Sequence, residues 1–159
     1  VQGFLKSAGG STSVVAVKCM RPDDTFSFQN EIGFLKDCKH DNIVHFYGAA
    51  ESPLRLYIVM EFCSGRSLWD YVDSHENPLD TNTLLSWMCQ CAKGLKYLHD
   101  KNMIHRDIKS ANILLSGNTG TITSIKISDF GIARSSTDAH SQGAPITDCL
   151  NPAGTLAYL

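Results

Sequence analysis

No apolar run in this sequence of 159 residues approaches the length needed to cross a bilayer, so a helical membrane span is excluded. The first twenty residues also lack the charged-then-apolar layout of a secretory leader. No excess of one charge is present: 14 Lys and Arg face 16 Asp and Glu. That balance gives no global reason to expect nucleic acid or an anionic membrane surface as a partner. The six cysteines (Cys19, Cys38, Cys63, Cys89, Cys91 and Cys149) lack zinc-site spacing and disulfide-scaffold density. They read as reduced, buried or half-buried thiols, which points to a cytoplasmic protein. No internal repeat or heptad is visible. Hydrophobic residues make up 43% and charged residues 19%, an ordinary globular composition with enough apolar material for a core.

The chain divides into two kinds of pattern. Ser13 to Met20 is valine-rich and predicts a strand, with Lys18 inside it. After the Pro22-Asp23-Asp24 break, Phe28, Ile32 and Leu35 recur at helical spacing, predicting a helix over 26–38. Asn42 to Ala49 and Leu54 to Phe62 read as a strand pair parted by Glu51-Ser52-Pro53. Beyond Cys63-Ser64-Gly65, a short helix is expected over 67–74. A long amphipathic one follows over 80–100, capped by Asp80 or Thr81, with Leu84, Leu85, Met88, Ala92, Leu95 and Leu98 as its apolar stripe. Short apolar pieces, Ile113 to Leu115 and Ile125 to Ile127, then alternate with turns such as Ser116-Gly117-Asn118. Residues 135–152 form a long polar stretch, and loops of that length are more often functional than idle.

The strongest chemical signal is His105-Arg106-Asp107-Ile108-Lys109-Ser110-Ala111-Asn112, followed by Asp129-Phe130-Gly131. Asp-Phe-Gly alone is a common turn. The eight-residue string is more telling, because it fixes several polar positions directly after a long helix. Together, in this order, they resemble the catalytic core of eukaryotic protein kinases. Phosphoryl transfer needs positioning and charge neutralisation more than covalent chemistry. The resemblance makes Asp107 the group that orients the acceptor hydroxyl and takes its proton. Asn112 and Asp129 become oxygen ligands for Mg2+ across the phosphates of ATP. Lys109 is similar to the lysine that neutralises the transferred phosphate in serine/threonine kinases, so serine and threonine acceptors are implied. His105 is read as a structural residue of an apolar spine with Leu35, Phe46 and Phe130, not as an acid or base.

Further strings extend the resemblance. Val15-Ala16-Val17-Lys18 and Phe28-Gln29-Asn30-Glu31-Ile32 look like the strand and helix whose Lys18–Glu31 pair holds the α- and β-phosphates. Ile58-Val59-Met60-Glu61-Phe62-Cys63 is similar to the strand running into the hinge, with Met60 behind the adenine and backbone groups of Glu61 and Cys63 bonding to it. Ala16 and Leu114 resemble the residues that sandwich the ring. Gly154-Thr155-Leu156-Ala157-Tyr158 looks like the end of an activation segment, making Ser135, Ser136, Thr137, Ser141 and Thr147 phosphorylation candidates whose phosphate could dock on Arg106.

The implied fold is therefore α+β and bilobal. Residues 1–62 carry small-lobe strands and a helix, 63–66 the hinge, 67–128 large-lobe helices and the catalytic loop, and 129–159 the activation segment. The resemblance covers the middle of a kinase domain. The first small-lobe strand with its Gly-rich loop and the later large-lobe helices are absent, so these 159 residues alone are expected to be poorly stable and nearly inactive. His40-Asp41-Asn42-Ile43-Val44 and the helix string Ser86-Trp87-Met88-Cys89-Gln90-Cys91 resemble the tyrosine-kinase-like group, including TGF-β-activated kinase and other MAP kinase kinase kinases. That resemblance implies a protein substrate such as a MAP kinase kinase, and an upstream activator or adaptor. The competing reading is an inactive fragment or a pseudokinase-like scaffold. Small-molecule phosphotransferases share the Asp and Asn logic but generally lack the segment ending in Gly-Thr-x-Ala-Tyr.

Overall fold

The computed structural model describes residues 1–7, 9–74, 79–118 and 121–135. Four strands, β1 (Gln2–Lys6), β2 (Thr12–Met20), β3 (Phe46–Ser52) and β4 (Arg55–Glu61), form one antiparallel sheet in the order β1-β2-β4-β3. Helix α1 (Thr25–Leu35) sits between β2 and β3 in the chain. Along β4 the residues Leu56, Ile58 and Met60 are buried while their neighbours are more open, the period-two pattern of a sheet with one face on a core. Helix α1 buries Phe28, Glu31 and Leu35, which share one face at i, i+3 and i+7. A carboxylate therefore lies in the middle of its apolar stripe.

The second part is helical and carries short ribbons. Helix α2 (Leu68–Ser74) begins at a reciprocal cap: Asp70 N–H donates to Ser67 Oγ, and Ser67 N–H donates back to Asp70 Oδ2, both at 3.1 Å. Helix α3 (Thr81–Asp100) is capped by Asp80, which accepts from Thr83 N–H at 3.0 Å. Then come β5 (Met103–Ile104), a 3-10 turn over Ser110–Asn112, β6 (Ile113–Asn118), β7 (Thr121–Ile127) and β8 (Arg134–Ser135). Strand β6 pairs with β7 and β5 with β8, both antiparallel. The α+β, two-part expectation holds.

Several element bounds and one helix face are corrected. The strand expected from Asn42 begins at Phe46, because residues 42–44 pair elsewhere: Val44 N–H donates to Ile127 O and Ile127 N–H to Asn42 O. Helix α1 stops at Leu35 rather than 38. Ser116-Gly117-Asn118 is not a turn but the end of β6, accommodated by a bulge between Ser116 and Gly117. Most of the α3 stripe is also misplaced. Leu84, Leu85, Met88 and Ala92 are exposed, and the packed face runs through Trp87, Gly94 and Leu98, with Cys91 and Leu95 partly buried. Trp87 sets that rotation by stacking edge-on against Tyr71 of α2, 5.4 Å between ring centres. Of the thiols, Cys38 and Cys63 are buried and Cys91 is half-buried, but Cys19 and Cys89 are exposed; Cys149 lies outside the described residues.

Two seams join the halves. On one side Asn42 donates to Gln90 Oε1 of α3 and to Ile125 O of β7, both at 3.1 Å. Gln90 Oε1 also accepts from Ile125 N–H at 3.0 Å. On the other, Gly65 N–H donates to Leu115 O and Leu115 N–H to Arg66 O, each at 2.8 Å. A Cβ on residue 65 would stand 2.7 Å from Leu115 Cβ, so this segment approaches β6 only because it lacks one.

Candidate active site

Lys18 projects from β2 toward α1, and its ammonium lies 2.7 Å from Glu31 Oε2 and 2.8 Å from Asp129 Oδ1. Lys18 and Asp129, 111 positions apart in the chain, thus meet directly, and the same cation also holds Glu31. Glu31 is fully buried. Burial pushes its carboxyl up, against the pull of the Lys18 charge. Burial alone would lower Lys18, but Glu31 and Asp129 outweigh it and raise the ammonium, which stays protonated. Asp24 and Asp37, the acids flanking Glu31 in the sequence, do not pair with Lys18.

The loop between β5 and β6 builds a second cluster. Lys109 Nζ donates to Asp107 Oδ2 at 2.8 Å, and Asn112 Nδ2 donates to the same oxygen and to the Asp107 carbonyl at 2.9 Å. Asn112 spends its amide nitrogen on Asp107, which turns its Oδ1 away from that carboxylate. Arg106 and Asp129 both occupy the left-handed backbone region, at φ 69° and 67°, a conformation non-glycine residues adopt rarely and mostly where surroundings impose it.

His105 is buried beneath this loop. Its Nδ1 accepts from Asp107 N–H at 3.2 Å, which puts the ring proton on Nε2 facing Ser128 O at 3.0 Å. Burial lowers its pKa, so the ring is neutral, and its edge meets Phe130 with 4.8 Å between ring centres. Both ring nitrogens hold backbone, a structural arrangement. Phe130 and Leu35 are in the same core, and Phe46 packs half-buried against it.

Of the residues expected around adenine, Ala16 of β2 and Met60 of β4 meet across the sheet, and Leu114 of β6 lies beside Ser67, just past the hinge segment. Cys63 is buried, and desolvation together with Glu61 pushes its thiol up to about 11. A cavity of about 420 Å³ is lined by Lys18, Asp107, Asp129 and Gly131 among others.

For three residues at these contacts the sequence assigns no individual role. Lys126 of β7 bonds to Glu61 Oε2 and Asp41 O, both at 3.0 Å, tying the end of β4 to the second half. Gln90 joins Asn42 to β7. Asn30, beside Glu31, reaches the backbone after Asp129. Thr155 and the candidates Ser136, Thr137, Ser141 and Thr147 lie outside the described residues; Ser135 pairs with Met103.

Among the described residues, no cluster of three or more His, Cys, Asp or Glu could hold a metal ion unaided. Asn112 and Asp129 fit Mg2+ in another way. Mg2+ takes hard oxygen donors and is commonly bound through one or two protein groups together with substrate phosphates. Among the described residues, no helix is long and apolar enough to cross a membrane.

Comparison with known proteins gives the same assignment. The family described as protein kinase domain matches residues 5–159. The serine/threonine-protein kinase pakF of Dictyostelium discoideum is 38% identical over 124 residues, covering 78% of this chain and 10% of that protein. Serine/threonine-protein kinase STY46 of Arabidopsis thaliana is 37% identical over 125 residues, 76% of this chain and 21% of that protein. Human mitogen-activated protein kinase kinase kinase kinase 3 is 39% identical over 125 residues, 78% of this chain and 13% of that protein. The chain spans between 10% and 22% of the length of such curated relatives. With its Lys18–Glu31–Asp129 bridge and its Asp107 cluster in place, the chain belongs to the protein kinase family.

Proposed function

We propose that the intact protein transfers the γ-phosphate of ATP to serine and threonine hydroxyls of protein substrates. One observation carries the reading: Lys109 and Asn112 converge on Asp107 Oδ2 while Lys18 joins Glu31 to Asp129. The first cluster fixes the carboxylate that would orient the acceptor hydroxyl and receive its proton. Lys109 supplies a positive charge beside it for the phosphoryl group in flight. Lys18, held in place by Glu31, presents an ammonium to the α- and β-phosphates. Adenine would lie between Ala16 and Leu114, against Met60 and the backbone of Glu61 and Cys63. Asn112 and Asp129 would hold Mg2+, which when bound neutralises phosphate charge.

Serine/threonine specificity is supported by Lys109 and by the names of the relatives. A role in a MAP-kinase-type cascade, with a MAP kinase kinase as substrate and an upstream activator, draws on the tyrosine-kinase-like strings and on the human relative with such a name. A cytoplasmic location fits the free thiols among the described residues. The test is phosphoamino-acid analysis of a general protein substrate incubated with the full-length protein and Mg·ATP. Phosphoserine and phosphothreonine are the expected products; phosphotyrosine alone would reject the specificity.

A further inference from the structure

Asn30 stands on α1 immediately before Glu31. Its Nδ2 lies 3.2 Å from Phe130 O, 3.1 Å from Gly131 O and 3.1 Å from Ala133 O. An amide nitrogen has two protons, so three carbonyls share them, and the chain must curl to bring those oxygens together. It does: Ala133 N–H closes back on Phe130 O at 3.1 Å. The neighbouring residues of α1 touch the same segment. The Phe26 ring lies 5.5 Å from the Arg134 guanidinium. A Cβ at Gly131 would be 2.8 Å from Ser27 Oγ. Glu31 reaches Asp129 through Lys18. Positions 26, 27, 30 and 31 of one helix therefore engage residues 129–134 almost continuously.

Asp129 needs such support, because its φ of 67° is disfavoured for a residue with a side chain. Its carboxylate bonds to Lys18, which leaves the backbone itself to be held from elsewhere, and Asn30 grips three of the carbonyls that follow it. We propose that Asn30 is a positioning residue: it fastens the 130–133 turn to α1 and so sets where Asp129 presents its carboxylate to Mg2+. The inference rests on the reading of Asp129 as a metal ligand. It makes the donor character of Asn30 essential, since an Asp of the same shape would set oxygen against three carbonyl oxygens.

The experiment measures binding, not turnover. Affinity of the full-length protein for a non-hydrolysable ATP analogue is measured by calorimetry with and without Mg2+, for the wild type, Asn30→Ala and Asn30→Asp. In Asn30→Ala the metal-free affinity should stay within about twofold, while the gain on adding Mg2+ should fall about tenfold, the size expected for one or two net hydrogen bonds. Asn30→Asp should lose more. Alanine is the best helix former, so Asn30→Ala alone decides the matter if the aspartate variant does not fold. A wild-type Mg2+ gain in Asn30→Ala, whatever its melting temperature, would overturn the proposal. No Mg2+ gain in the wild type itself would instead remove the metal reading of Asp129, and the inference with it.

Discussion

Lys18 and Glu31, thirteen residues apart, form an ion pair of 2.7 Å in which the acid is fully buried and the base is about one-third exposed. The pair is thus poised differently from its two ends: removing the lysine strands a buried carboxylate, whereas removing the carboxylate leaves a cation that water and Asp129 still solvate. Lys18→Met should therefore destabilise the protein by about 1–3 kcal/mol at pH 7, discounted for the solvent reaching Lys18. Glu31→Gln should cost less, and the double variant should recover part of the Lys18→Met loss. Additive effects in chemical denaturation would show that the two residues are not coupled.

Gly65 offers a test of the seam beside the hinge. Alanine there must displace Leu115, whose Cβ and carbonyl oxygen would be 2.7 and 2.8 Å from the new methyl. Overpacking of this kind costs about 1–3 kcal/mol. Nucleotide affinity should fall with it, because Cys63 belongs to the same short link. A Gly65→Ala protein with unchanged melting temperature and nucleotide affinity would contradict the packing described.

His105 makes a pH prediction whose sign is fixed by its burial. Its folded pKa lies below the ordinary 6.5, so as pH falls the unfolded chain takes up the proton first. Stability from this group is present above about pH 6.5 and is lost as pH drops through the lower folded value. The ring proton of His105 followed by NMR should titrate with a midpoint below 6.5. A midpoint above it would mean that the imidazole is accessible or paired with an acid, and the structural role would fail.

Thiol reactivity separates the cysteines. Burial raises Cys38 and Cys63 to about 11. At pH 8 only about one molecule in a thousand would carry the reactive thiolate at either site. Brief iodoacetamide treatment followed by mass spectrometry should label the exposed Cys19 and Cys89 before either of them. Early labelling of Cys63 would show that the hinge segment is open.

Legibility in the sequence followed how the chemistry is distributed along the chain. Asp107, Lys109 and Asn112 sit close together in one short string, and with Asp129-Phe130-Gly131 after it that string resembles the kinase catalytic core. Lys18 and Glu31 are legible only as a pair, through the resemblance of their strand and helix strings to those of protein kinases. Asn30 and Lys126 had no such mark: a lone amide on a helix or a lone lysine on a strand is ordinary, and only folding brings their distant partners to them. The α3 stripe failed for a different reason. Leu84, Leu85 and Met88 define one apolar face at helical spacing, but Trp87, Cys91, Gly94 and Leu98 define another, and only packing against α2 and β7 selects between them. The bulge that keeps Ser116 to Asn118 in β6 is likewise a matter of pairing with β7, which local turn propensity opposes.

The most direct test of the central claim separates chemistry from binding at Asp107. Phosphate transfer from radiolabelled ATP to a protein substrate, and affinity for Mg·ATP, are measured for the full-length wild type and for Asp107→Asn, a variant of the same size that keeps an oxygen toward Lys109 and Asn112. The account predicts transfer to serine or threonine by the wild type, a loss of at least about a hundredfold in the variant, and nucleotide affinity within a few-fold of wild type. A wild type that binds Mg·ATP without transferring phosphate, or a variant that transfers it undiminished, would contradict it.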